Sequence, residues 1–108
     1  MKMITAIINN KDAGVVCDVL REAGIGFTKI ATTGGFLRVG NTTVMIGTED
    51  DQFDKVLDII RTHSARRMEL VPDNLYSTRG QQINMNPAEV QVGGALVFAT
   101  NVDYFERI

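Results

Sequence analysis

The side chains that usually carry catalysis are few in this sequence, and they lie apart. His63 is the only histidine, and it falls near the end of a helical pattern, where an imidazole meets the negative end of the helix dipole. Serine occurs only at 64 and 77, with no Gly-x-Ser-x-Gly or Ser-x-x-Lys arrangement. Cys17 is the lone cysteine, so no intrachain disulfide can form. It sits among Val15, Val16, Val19 and Leu20, surroundings in which a thiol behaves as a small buried hydrophobe. One histidine and one distant cysteine make a poor metal site. Asp50, Asp51 and Asp54 gather where a helix is expected to begin, a place that favours carboxylates without any ion. The expectation is no catalytic residue, no cofactor and no metal: not an enzyme.

The segment 31–47 is richer. Gly34-Gly35 lets backbone N–H groups approach a phosphate or a base edge with no Cβ in the way. Thr32, Thr33, Thr42 and Thr43 add hydroxyls, and Arg38 could offset phosphate charge. Phe36 offers a face for a nucleobase, a stack that contributes roughly 1–3 kcal/mol. Asn41 carries the donor and acceptor that suit an adenine edge. The same residues also suit a plain hairpin with Phe36 in the core. Residue types alone leave both readings open. No Gly-Lys-[Ser/Thr] follows the glycines, which excludes a Walker loop.

The elements that must position this segment follow from periodicity. Residues 1–8 form an isoleucine-rich strand stopped by Asn9-Asn10. Apolar residues at Val15, Val16, Val19, Leu20 and Ala23 predict one face of a helix over 12–23, ended by Gly24. Residues 27–31, then 36–39 and 42–47, have strand character. Thr48-Glu49-Asp50-Asp51 has the form of a capping box. Phe53, Val56, Leu57 and Ile60 then carry a second helix to about His63. A short extended piece spans 66–71, and strand character returns over 90–99, broken by Gly93-Gly94, where a bulge or close backbone approach is expected. Strand, helix, strand, strand, helix, strand is the α+β, ferredoxin-like βαββαβ plan, an antiparallel sheet with both helices on one face. Ile4, Ala6 and Ile8 alternate with Met3, Thr5 and Ile7, so the strands are apolar on both faces. An apolar face without helices needs a partner, here a second copy.

The chain of 108 residues is read as one domain. Eleven Lys+Arg against thirteen Asp+Glu give a net charge of −2, which offers no global attraction to nucleic acid or anionic lipid. The first residues are too short for a signal-peptide core, and no apolar run reaches the ~20 residues of a membrane span. The expectation is a cytoplasmic protein that neither binds nucleic acid nor inserts in membranes. Residues 72–87 are polar, and a loop of that length is usually functional or disordered.

Ala31-Thr32-Thr33-Gly34-Gly35-Phe36-Leu37-Arg38, Gly40-Asn41-Thr42-Thr43 and Val92-Gly93-Gly94-Ala95, with Met1-Lys2-Met3-Ile4 and Val97-Phe98, resemble the PII-like cyclic di-AMP receptors (PstA/DarA-like). The resemblance runs over almost the whole chain. It implies a homotrimer of ferredoxin-like PII subunits that binds one cyclic di-AMP, or a related adenine nucleotide, in each cleft between subunits. It implies that Thr28, Gly35, Phe36, Leu37, Asn41, Gly47 and Phe98 line that cleft. It further implies that 72–87 is a mobile loop that responds to ligand and signals to a downstream protein whose identity is unknown. Two places depart from the pattern. Gly24 and Gly26 stand where relatives often have asparagine and arginine, and Arg107 stands where they tend to have glutamine. A lost arginine contact removes on the order of 1–3 kcal/mol, a ~5–150-fold change in affinity. The alternative these departures raise is a trimeric PII-like interaction protein with lost or weakened nucleotide binding.

Overall fold

The computed structural model describes residues 1–32, 40–71 and 88–108. The predicted strand at 36–39 and the loop at 72–87 lie outside the described residues. Within them the order is β1 (Lys2–Asn9), α1 (Asn10–Glu22), β2 (Thr28–Thr32), β3 (Asn41–Thr48), a 3-10 turn (Asp50–Gln52), α2 (Phe53–Ser64), β4 (Arg67–Val71), β5 (Ala88–Val92) and β6 (Ala95–Asn101). Strands β2-β3-β1-β6 make one antiparallel sheet. That mixed α+β arrangement is compatible with the ferredoxin-like plan.

Both helices pack on the same face. Ile4, Ala6 and Ile8 of β1 and Val44 and Ile46 of β3 are buried with Ala13, Val16, Cys17 and Leu20 of α1 and Val56 and Ile60 of α2. Each large aliphatic side chain so buried contributes roughly 1.5–3 kcal/mol. Cys17 is part of this core, and its burial pushes the thiol up from its ordinary value, as expected for a structural hydrophobe. The helix face itself is turned from the sequence expectation. Asp12, Ala13, Val16, Cys17 and Leu20 are buried, whereas Val15 is 50% exposed. Small Ala13 and Cys17 let the helix lie close to the sheet, so the bulkier Val15 is left outside.

Helix ends follow local chemistry. Asn9 caps α1, its Oδ1 accepting from the Lys11 N–H at 2.9 Å. At the other end Gly24 takes φ +76°, and the Gly24 and Ile25 amides donate to Arg21 and Leu20 carbonyls at 3.0 and 2.9 Å. This is a Schellman closure, and it explains a glycine there without reference to a ligand. Asn9→Ala is expected to lower stability by about 1 kcal/mol in urea unfolding, with most of it retained in Asn9→Asp.

Two details differ from expectation. The capping box is not formed: Thr48 is buried and paired with Lys2 in the sheet, and its hydroxyl donates to the Glu49 carbonyl at 3.2 Å. A residue held as a strand end is unable to fold back over a helix start, so a 3-10 turn intervenes, and Asp50 instead pairs with the Met1 amine at 3.1 Å. Residues 90–99 are not one interrupted strand. The Gly93-Gly94 break is complete, and β5 pairs with β4 in a separate two-stranded ribbon while β6 joins the main sheet.

Candidate functional site

The sheet leaves one face without helices, and its register shows which residues share that face. Phe98 lies opposite Thr5, Thr5 opposite Met45, and Met45 opposite Thr28. These four make one row across all the strands. The next row is Thr100, Met3 and Gly47. Side chains alternate along a strand with period 2, so Asn41, Thr43, Met45 and Gly47 of β3 also share this face. Thr28, Asn41, Gly47 and Phe98, all expected at the site, are therefore on one surface.

They are not all in one hollow. A cleft of about 750 Å³ opens at the end of the sheet where β1 begins. Its floor is Met3 and Met45, and one wall is Gly26, Phe27 and Thr28 with Gly47. The opposite wall is the tail after β6, with Tyr104, Phe105 and Arg107. Phe98 is half exposed, 49%, a row away from Gly47 and outside the cleft lining. Asn41 is buried, opposite Asn9 at the far end of β3, about 20 Å from Gly47 at 3.3 Å per strand residue. Gly35, Phe36 and Leu37, and Arg38 with them, lie outside the described residues.

The local reasons for this cleft are simple. Gly24 and the Schellman closure turn the chain from α1 into β2, so Gly26 and Phe27 arrive at the rim. Phe27 packs inward against the core, with the Arg21 guanidinium over its ring at 5.4 Å. The tail is tethered by the Val102 N–H donating to the Met1 carbonyl at 3.0 Å. Beyond that tether Tyr104 is 76% exposed and Phe105 61%. The Tyr104 hydroxyl donates to Glu106, whose carboxylate holds the phenol above its ordinary value.

Chemically the described lining of the cleft combines three thioethers, aromatic rings, glycine backbone, a threonine hydroxyl, the Arg107 guanidinium and the Glu49 carboxylate. Flat apolar surface with one cation and backbone donors suits a base and a phosphate. Among the described lining residues none pairs a nucleophile with a base. His63 sits in the last turn of α2, at the opposite end of the sheet. Among the described residues no group of three or more His, Cys, Asp or Glu is placed to hold a metal, and no helix is long and apolar enough to cross a membrane.

The sequence expectation missed Met3, Met45, Glu49, Tyr104 and Phe105. Met3 and Met45 were legible as period-2 partners of the helix-facing Ile4 and Val44. The Tyr104-Phe105 pair, aromatic in a polar tail, was the signal for the far wall. A smaller recess of about 340 Å³ lies between the end of α2 and β6, lined by Ile60, Arg61, Arg66 and Val97 among others, and its described lining includes none of the expected residues.

Known proteins share this architecture. A crystal structure described as that of a functionally unknown protein from Pediococcus pentosaceus ATCC 25745 superposes with a TM-score of 0.82 at 40% identity, over 99% of this chain and 96% of that one. The family described as cyclic-di-AMP receptor matches residues 1–108. A receptor family points to ligand sensing rather than turnover. Matched from its first residue to its last, with Thr28 and Gly47 together in an open cleft, this chain belongs to the cyclic-di-AMP receptor family.

Proposed function

We propose that the protein is a PII-like signal receptor that binds cyclic di-AMP, or a related adenine nucleotide, between the subunits of a homotrimer. Binding changes a loop conformation, and the changed loop regulates a partner protein in the bacterial cytoplasm; it catalyses nothing. The observation that carries this reading is the single sheet face holding Thr28, Asn41, Gly47 and Phe98. Its two edges are β2 and β6. In a closed ring of subunits one edge meets the other edge of the next copy, which brings Phe98 of one subunit toward Thr28 of its neighbour. Ile30 and Phe98, 40% and 49% exposed on these edges, supply apolar surface for that contact. The free Cys17 fits a reducing compartment. Light scattering tests the assembly and thermal shift tests the ligand. A mass three times the chain's, with a melting shift from cyclic di-AMP larger than from AMP or ATP, is the expected result. A monomer in solution contradicts the intersubunit cleft.

A second reading, a trimeric interaction protein with weak nucleotide binding, is favoured by Gly26, which gives the rim no side chain. A Cβ at Gly26 meets nothing within 4 Å, so a larger residue fits without rearrangement. Gly26→Arg is expected to tighten cyclic di-AMP on the order of tenfold, as a charge-assisted hydrogen bond does. No gain in a calorimetric titration places the phosphates elsewhere.

A further inference from the structure

Three consecutive residues at the start of α1 hold two distant parts of the chain. Asn10 grips the beginning of β3: its backbone N–H donates to the Gly40 carbonyl at 3.1 Å, and its Oδ1 accepts from the Thr42 hydroxyl at 2.6 Å. Lys11 and Asp12 grip the ribbon. Lys11 Nζ lies 2.6 Å from Glu69 Oε1, and the Arg67 guanidinium spans both Asp12 oxygens at 2.8 and 3.2 Å. Arg67 also reaches Glu69 at 3.3 Å and the Ala65 carbonyl at 3.2 Å.

The Arg67–Asp12 contact differs in kind from surface ion pairs such as Arg21–Asp18 and Arg61–Asp58, where both partners are about 70% exposed. The Asp12 side chain is 6% exposed. A carboxylate so buried relies on its partner, and removing that partner leaves a charge uncompensated. The Lys11 ammonium also holds Glu69 below the usual carboxylate range. Gly93 packs directly on this pair: a Cβ on it would lie 2.7 Å from Arg67 Nη1 and 3.2 Å from Asp12 Oδ2.

We infer that the first turn of α1, residues 10–12, is the mechanical link between the foot of the segment 33–39 and the ribbon that carries the segment 72–87. Asn10 reads the position of Gly40 and Thr42, and the rigid helical turn transmits it to Arg67 and Glu69 through Lys11 and Asp12. The path is a contiguous set of hydrogen bonds and ion pairs across one helical turn, short enough to act as one body. This gives the proposed receptor its route from ligand to loop and rests on that reading for its biological meaning. The linkage between the two feet stands without any ligand.

The test is amide hydrogen exchange of residues 67–71 and 88–92 in the full chain. Thr42→Val removes the hydroxyl that Asn10 holds and touches nothing in the ribbon, while Thr42→Ser restores it. Ribbon exchange is expected to rise roughly fivefold in Thr42→Val and to return to the wild-type rate in Thr42→Ser, the size of one lost side-chain hydrogen bond. Asp12→Asn is expected to raise it about tenfold, and the double variant no further than Asp12→Asn alone, because both act through one path. Amides of Ile4 to Ile8 report whether the core is intact in each variant.

Unchanged ribbon exchange in Thr42→Val with an intact core, or additive effects in the double variant, overturns the link. Adding cyclic di-AMP separates this from the functional reading. If cyclic di-AMP gives neither a melting shift nor a change in wild-type exchange while the variants behave as stated, the link holds and the ligand assignment fails; a melting shift without a change in exchange overturns the link as the route from ligand to loop.

Discussion

Gly93→Ala is expected to lower stability by about 3 kcal/mol in urea unfolding, several times the cost of an ordinary surface change. Two costs add at this position. Gly93 has φ +81°, where a side chain costs roughly 1–2 kcal/mol. Its Cβ would also stand 2.5 Å from the Ala65 carbonyl oxygen, a backbone atom that is not free to swing aside. The Gly94 amide is already fixed to the Ser64 carbonyl at 2.6 Å, so the chain leaving α2 and the chain entering β6 are tied together there. Gly94→Ala is the control. It has a similar φ of +93°, but its Cβ would meet nothing nearer than Arg66 Nε at 3.9 Å, so it is expected to lose only the conformational part. Equal losses at 93 and 94 would show that close packing at Gly93 contributes nothing.

Gly47→Trp is expected to weaken cyclic di-AMP binding at least about a hundredfold, a loss of roughly 2.7 kcal/mol or more. Gly47 is exposed in the cleft beside Met3 and Met45. A Cβ there meets nothing within 4 Å, so the indole extends into the hollow a ligand needs. The fold should be indifferent, since tryptophan favours strands and the site is open. An unfolding midpoint within about 0.5 kcal/mol of wild type is expected. Binding as tight as wild type in a folded Gly47→Trp would move the site away from this end of the sheet.

The parts of the fold that were legible in the sequence are those with one dominant local cause. The isoleucine-rich run of β1, the apolar stripe of α2 and the glycine after α1 each point to one structure, and each is found. Val15 and Thr48 show where local cause gives way. A helix with valines at 15, 16 and 19 presents two nearly equal faces, and the depth to which Ala13 and Cys17 allow it to sink decides between them. Thr48 carries the residue type of a cap, but pairing with Lys2 uses it as a strand end first. The ribbon was invisible because Arg66 to Val71 and Val90 to Val92 are far apart in sequence, and pairing of that kind leaves no local trace.

At the candidate site Thr28 and Gly47 came from resemblance alone, and one cleft is lined by both. Asn41 and Phe98 share its face but lie outside the hollow of one subunit. Tyr104 and Phe105 offered only the signal of an aromatic pair in a polar tail, since their place comes from where the Val102 tether leaves them.

Calorimetric titration of cyclic di-AMP into the wild-type protein tests the central claim most directly. Saturating heat with one ligand per chain, abolished in Gly47→Trp, is the predicted result. A flat trace at millimolar ligand from a folded protein contradicts it.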